Sequence, residues 1–299
     1  MNILQRGIRR LTRNGRLNWM PDKLYLQVMY LTNMGKVINL KNPKTFNEKL
    51  QWLKLHDRKP EYTMMVDKYE AKQYVADCIG QDYVVPSYGV WDSFDEIPFE
   101  KLPKQFVLKC THDSGGLVIC RNKDRLDKAA AKQKIEKCLK RNYYYSGREW
   151  PYKNVKPRII AEKYLEDENE QAGLRDYKFF CFNNEPRFVY LSEGLENHAT
   201  ARISFYDLEG RQMPFHRTDY RPMDEGVVFP DTMKRMEQAA RKLAACVNAP
   251  FVRIDLYSVS GHIYFSELTH YPCAGYVPFE PAEWDEKLGE WIDLSRVNE

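Results

Sequence analysis

The sequence predicts an α+β fold in which antiparallel sheets follow a helical N-terminal region. Three observations predict it. Strand-like and helix-like segments mix without the strict alternation of a parallel α/β sheet. Two pairs of β-branched and aromatic runs are joined by turn chemistry, at Asn183-Asn184 and at Ser258-Val259-Ser260-Gly261, and read as hairpins. The segments before Gly80 carry helical patterning instead.

Taken in order, Pro21 to Asn33 reads as a helix. A second helix follows Asn42-Pro43-Lys44-Thr45-Phe46-Asn47-Glu48, where Thr45 or Asn47 can cap and Leu50, Trp52, Leu53 and Leu55 supply an apolar side. Asp67 to Cys78 is a third, ended by Gly80; Tyr83-Val84-Val85-Pro86 gives a strand within 81–90, and Trp91 to Pro98 is loop. Gln105 to Cys110 and Leu117 to Cys120 read as strands around the polar loop Thr111 to Gly116. Lys128 to Tyr143 is a lysine-rich helix, and Arg158 to Leu165 is a strand running into the acidic loop Glu166 to Glu170. Asp176 to Asn183 and Pro186 to Leu191 form the first hairpin, and Ile203 to Asp207 is a further strand. A helix from Asp231 to Val247 precedes the second hairpin, Phe251 to Tyr257 with His262 to Thr269.

A chain of 299 residues can bury a sizeable core and suggests about two domains. Its 43% hydrophobic and 29% charged residues are ordinary for a soluble globular protein. A net charge of +4 is too small to argue for nucleic acid, but suits an enzyme handling phosphates or carboxylates. The seven cysteines are scattered and lack CxxC spacing, which fits reduced thiols better than disulfides or zinc. No stretch approaches the roughly 20 apolar residues of a membrane helix, and the N-terminus lacks a signal peptide's apolar core. The expected location is therefore cytoplasmic. Arg6, Arg9, Arg10, Arg13 and Arg16 stand among Ile3, Leu4, Ile8, Leu11 and Trp19, which reads either as a solvated start or as an amphipathic helix on anionic lipid at the inner membrane face.

The richest feature is the second hairpin. Strand side chains alternate faces, so Arg253 and Asp255 share one face, as do Glu267 and Thr269. A tight turn near Ser260 is expected to set Glu267 opposite Arg253, with Asp255 one pair away. Paired carboxylates repel unless a cation lies between them, and hard oxygen ligands suit magnesium; the alternative is a surface ion pair on an edge hairpin. Lys109, ending a strand just before Ser114-Gly115-Gly116, makes a candidate phosphate cradle, or else the loop is a plain hairpin turn. Glu162-Lys163-Tyr164-Leu165 is a strand end whose backbone can pair with an adenine edge, or simply solvated surface. Lys68 beside Asp67 begins a helix, and Asp176 and Lys178 share a strand face that can line a cleft or form a cross-strand ion pair. The histidines His112, His198, His216, His262 and His270 have no metal-pair spacing; His270, beside Glu267, reads either as a substrate contact or as a structural hydrogen bond. Nothing resembles a nucleophile elbow, so a serine hydrolase is unsupported.

The order of these pieces is informative: Asp67-Lys68, then Lys109 with Asp113-Ser114-Gly115-Gly116, then Glu162 to Leu165, then Arg253-x-Asp255 and Glu267-x-Thr269. In that order they resemble the ATP-grasp superfamily. Asn42 to Leu50, Val85-Pro86-Ser87-Tyr88-Gly89-Val90-Trp91 and Glu267-Leu268-Thr269 are similar to its TupA-like branch, over roughly Asn39 to Gly275. The resemblance implies two antiparallel α+β subdomains clamping ATP: a helical region over 1–100, a small lid with glycine loop and adenine hinge over 101–165, and a metal-binding part over 166–299. It implies ATP held by Lys68, Lys109, Asp113, Ser114, Gly115, Gly116, Glu162, Lys163, Tyr164, Leu165, Asp176 and Lys178. Mg2+ would be held by Asp255, Glu267 and Thr269, with Arg253 and Lys109 catalytic. Most such ligases carry Asn two residues after the metal-binding Glu, where this chain has Thr269. The activity implied is ATP-dependent ligation of a carboxylate to an amine through an acylphosphate, joining an amino acid to a uronic acid of bacterial cell-surface polysaccharide of capsule or teichuronic type. A sugar-nucleotide enzyme such as a glycosyltransferase, or a non-catalytic nucleotide-binding partner, is the alternative.

Overall fold

The computed structural model describes residues 3–13, 15–166, 174–194, 201–224 and 226–298; His198 and the acidic stretch at 167–170 lie outside the described residues. Five helices open the chain: α1 (Ile3–Arg13), α2 (Asp22–Met34), α3 (Phe46–His56), α4 (Glu61–Val66) and α5 (Glu70–Ile79). β1 (Ser87–Trp91), β2 (Phe106–Cys110), β3 (Leu117–Cys120), α6 (Lys128–Leu139), α7 (Tyr144–Gly147) and β4 (Ile159–Lys163) follow. The rest comprises β5 (Asp176–Phe182), β6 (Glu185–Glu193), β7 (Arg202–Asp207), β8 (His216–Arg217), α8 (Met233–Val247), β9 (Phe251–Val259), β10 (His262–Thr269), β11 (Phe279–Glu280) and α9 (Glu283–Glu290).

The strands make a four-stranded sheet, β1-β4-β2-β3, a five-stranded sheet, β10-β9-β5-β6-β7, and a small ribbon, β11-β8. Every ladder in them is antiparallel. Both expected hairpins turn through residues of positive φ, Asn183 and Asn184 in one and Ser260 and Gly261 in the other, the twist that two-residue hairpins need.

Alternation along β5 sorts the core. Tyr177, Phe179 and Cys181 enter the cluster under α8, while Phe180 and Phe182 enter an aromatic cluster with Phe46 and Leu50 of α3 and Leu288 of α9. α8 meets its side of the sheet with Met236, Ala239, Ala240, Leu243, Ala244 and Val247, one helical stripe. α3 begins with a capping box in which Thr45 accepts from the Glu48 N–H and Glu48 reaches back. A third cluster, with Leu108, Ile135 and Ile159, joins the four-stranded sheet to α6. The cysteines are free thiols.

Three expectations shift. The helix expected over 67–78 starts three residues late, as α5 at Glu70, because Asp67 leaves helical geometry and its Oδ1 accepts from the N–H groups of Tyr69 (2.8 Å) and Glu70 (3.3 Å). The strand expected through Tyr83 to Pro86 begins only at Ser87, since Pro86 has no N–H to give a ladder. The lysine-rich helix stops at Leu139, and the next turn, α7, is separate.

Candidate active site

The aromatic-core face of the five-stranded sheet changes character toward β10. On it Asp176 and Lys178 of β5, Arg253 and Asp255 of β9, and Glu267 and Thr269 of β10 lie together; Lys178 faces Asp255, and Phe180 faces Arg253. Glu267 faces Asp255, and Thr269 faces Arg253. That corrects the expected pairing of Glu267 with Arg253: the turn that sets Val259 against His262 moves the register by one residue, and a β-bulge between Phe265 and Glu267 moves it by one more. Ile263 and Phe265 enter the core under α8, and so does Leu268. The change from odd to even positions is the bulge, and it turns Glu267 and Thr269 to the face of Asp255.

Asp255 is 1% exposed, and both of its oxygens have cationic partners. Its two oxygens accept from Arg253 Nε and Nη2, both at 2.7 Å, and Oδ2 also accepts from Lys178 Nζ at 3.0 Å. Burial works to raise its pKa, yet these cations hold the carboxyl below the ordinary range. Asp176, which also pairs with Lys178, is pushed up to about 6 by burial and by Asp255, and its Oδ1 is buried without a partner. Glu267 stands 3.6 Å from Lys68 and 3.9 Å from Arg253, beyond hydrogen-bond length.

The opposing wall comes from the four-stranded sheet. Glu162 on β4 takes Lys109 Nζ of β2 and Lys72 Nζ of α5, each at 2.6 Å. Burial opposes ionisation there, but the two ammonium groups hold Glu162 down to about 2. Lys68 Nζ donates to the Asp113 carbonyl at 2.9 Å, and its backbone N–H to Thr111 O at 3.0 Å, so it ties the glycine loop to the wall that carries Glu267. Asp113 accepts from the Ser114 N–H and pairs with Arg141, while His112 lies buried with Nε2 against the carbonyls of Cys138 and Arg141. Gly116 has a packing reason of its own: a Cβ there would sit 2.7 Å from Cys110 Cβ and 3.0 Å from Cys138 Cβ.

The cleft therefore gathers Lys68, Lys109, the loop at 113–116, Glu162, Asp176, Lys178, Arg253, Asp255, Glu267 and Thr269. Lys163 is exposed, and its N–H is given to Pro86 O at 2.9 Å. Tyr164 accepts from Arg121 Nε at 3.1 Å, and Leu165 is half-buried. His270 does not face the cleft: it points to the other side of β10, packs on Tyr62 with ring centroids 4.2 Å apart, and burial lowers its pKa to about 3. Sequence reasoning missed Lys72, in the first turn of α5; its place four residues after Lys68, inside the helix expected over 67–78, was the available signal. It also missed a buried pair behind Arg253. The Glu149 carboxyl is raised by burial against the pull of Lys54, and Glu267 and Arg253 act on it too. Lys54 Nζ donates to Gln51 Oε1 (2.9 Å), Gly147 O (2.8 Å) and Ala274 O (2.7 Å), and burial lowers its pKa.

The donor set fits Mg2+ held jointly with a polyphosphate. Among the described residues no group of three or more His, Cys, Asp or Glu side chains is arranged around a metal position. What the face offers is two opposed carboxylates, Asp255 and Glu267, the second without a hydrogen-bonding cation at contact distance. Magnesium is commonly bound in this way, by one or two carboxylates plus phosphate oxygens. Thr269 Oγ1 already accepts from Arg253 Nη2 at 3.0 Å.

Comparison with known proteins gives a family model described as TupA-like ATPgrasp, matched over residues 48–293. No curated protein sequence matches. Among solved structures, D-alanine–D-alanine ligase from Bacillus anthracis is 14% identical, with 86% of this chain and 71% of that chain covered and a TM-score of 0.45. VanG D-Ala:D-Ser ligase from Enterococcus faecalis is 14% identical, with 82% and 62% covered and a TM-score of 0.45. The ATP-grasp ligase PsnB, complexed with minimal precursor, Mg and ADP, is 11% identical, with 84% and 65% covered and a TM-score of 0.43. The chain thus spans about two thirds of the length of these structures.

Proposed function

The chain belongs to the TupA-like ATP-grasp family, and from that premise we propose that it is an ATP- and Mg2+-dependent carboxylate–amine ligase. The observation that carries the reading is the approach of Lys68 to Glu267, which brings the glycine-loop wall and the carboxylate face to the two sides of one cleft. In this reading the four-stranded sheet, β1 included, is the lid, and Glu162 to Leu165 border the adenine. Lys68, Lys109 and Lys178 contact phosphates, and Glu162 fixes Lys109 and Lys72 in place. Bound Mg2+, held by Asp255 and Glu267, supplies neutralisation of charge on the transferred phosphoryl group. Arg253, held by Asp255 and Thr269, is aimed to steady that group. The substrate carboxylate attacks the γ-phosphorus, the bond to the β–γ bridging oxygen breaks, and ADP leaves with the electron pair. The amine then attacks the acyl carbon, inorganic phosphate departs, and the nitrogen gives up a proton.

The finer reading is amide linkage of an amino acid to a uronic acid in bacterial cell-surface polysaccharide. ADP release screened against uronic acids and amino acids tests it, together with thermal shift under ATP–Mg2+ and under UDP-sugars. Stabilisation by UDP-sugar alone refutes the ligase in favour of a sugar-nucleotide enzyme. No described helix is long and apolar enough to cross a membrane. A peripheral contact is supported by Trp19, Leu24 and Leu31, which are 75%, 45% and 50% exposed close in sequence to the arginines of α1. Flotation that is equal with phosphatidylglycerol and phosphatidylcholine vesicles refutes that contact.

A further inference from the structure

Beside Arg253 the cleft narrows into a slot with room for about 20 Å³, which Arg217 also lines. We propose that this slot holds the carboxylate of a sugar acid whose ring lies in the wider cleft next to it, with Arg217 as the residue that reads the acid. The proposal rests on the ligase reading and adds where the carboxylate substrate sits.

The slot's size comes first. About 10–15 Å³ of such space admits one water, so the slot takes a carboxylate and excludes a ring. Its chemistry comes second. Among the described residues, Arg217 and Arg253 are the charged members of its wall and no carboxylate lines it. Their own partners, Asp219 and Asp255, stand outside the lining. Two guanidinium groups converging on a small space beside Phe205 and Phe279 form a site for one planar anion. Tyr190 bridges the two functions: its ring is 5.8 Å from the Arg217 guanidinium and 6.0 Å from the Lys178 ammonium. An acid held there lies at the phosphoryl-transfer end, on the same sheet face as Asp255 and Glu267.

The adjoining cleft explains the rest of the ligand. It encloses about 350 Å³, and Arg217 belongs to its wall as well. Thr218, Asp219, Tyr220, Arg221, His216 and Glu280 supply donors and acceptors side by side. Hydroxyl groups both donate and accept, so this wall suits a polyhydroxylated ring better than an apolar one or a bare anion. With Arg202, its three guanidinium groups outnumber the two carboxylates, which favours a ring that carries negative charge.

The test measures calorimetric binding of D-glucuronate and D-galacturonate to the full chain, with D-glucose and D-galactose as the uncharged rings. The nucleotide analogue AMP-PNP with Mg2+ is titrated separately. The wild type is expected to bind the uronates and to bind the neutral sugars at least tenfold more weakly. Arg217→Ala should weaken uronate binding at least tenfold, as loss of a charge-assisted hydrogen bond does. Arg221→Glu, on the exposed rim, should weaken it severalfold and serves if the buried variant fails to fold. Both variants should leave AMP-PNP–Mg2+ affinity within twofold. Equal binding of glucose and glucuronate, no uronate binding by the wild type, or uronate affinity unchanged in both variants overturns the proposal. If AMP-PNP–Mg2+ fails to bind while uronate binding still depends on Arg217, the ligase reading falls and the slot stands.

Discussion

Replacing Glu162 by Gln tests the wall that carries Lys109 and Lys72. The carboxylate is 5% exposed and takes both ammonium groups at 2.6 Å, so solvent screens these contacts little. Its pKa falls from an ordinary 4.5 to about 2. At roughly 1.4 kcal/mol for each tenfold change in proton affinity, that gap contributes about 3 kcal/mol at neutral pH. The folded value lies below the unfolded one, so this stability is present above about pH 4.5 and is lost as pH falls toward 2. Glu162→Gln keeps the shape and removes the charge, leaving two buried ammonium groups against a neutral amide. Urea unfolding followed by tryptophan fluorescence should therefore give a variant about 3 kcal/mol less stable at pH 7, with the difference falling by more than half by pH 3. A difference under about 0.5 kcal/mol at pH 7, or one equal at pH 3 and 7, refutes the reasoning. The ion pairs would then only repay the desolvation of their members.

The remaining predictions concern other links of the chain. Asp255→Ala combined with Glu267→Ala should cut ADP release by roughly 10³-fold or more, the scale of a principal charge-stabilising group, and unchanged release refutes the metal assignment. Gly116→Ala should lower stability by about 1–3 kcal/mol in thermal melts, because the added methyl meets Cys110 and Cys138. Thr45→Ala removes the capping box of α3 and should cost about 1 kcal/mol by urea unfolding, with nucleotide affinity untouched.

Much of the fold was legible because its signals are local. The Asn183-Asn184 and Ser260-Gly261 turns, the capping box at Thr45 and the stripe of α8 each lie within one short window of sequence. The candidate site was legible where one strand carries two of its residues on one face, as at Asp176 and Lys178 or Arg253 and Asp255. It was not legible where partners come from distant segments. Lys72 meets Glu162 from another element, and Lys54 of α3 acts on Glu149, which comes from the chain between α7 and β4. Arg217 reaches the slot beside Arg253 from β8, a strand of two residues that no periodicity reveals.

The hairpin of Asp255 and Glu267 shows how two side chains can be read onto one face through an incorrect register. Alternation set both carboxylates on one face, and the structure has them on one face, but the route differs. The two-residue turn sets Val259 against His262, and without interruption that register would bring Ser266 opposite Asp255. Glu267 would then point under α8 with Ile254, a buried charge in an apolar cluster that is costly unless paired. The bulge at Ser266 absorbs one residue and returns Glu267 to Asp255 and Thr269 to Arg253. Two demands select it together: Leu268 must be buried with Ile263 and Phe265, and Glu267 must reach the cleft. No rule of period two meets both, so the extra residue is the feature of this strand through which the buried core and the charged cleft face are reconciled.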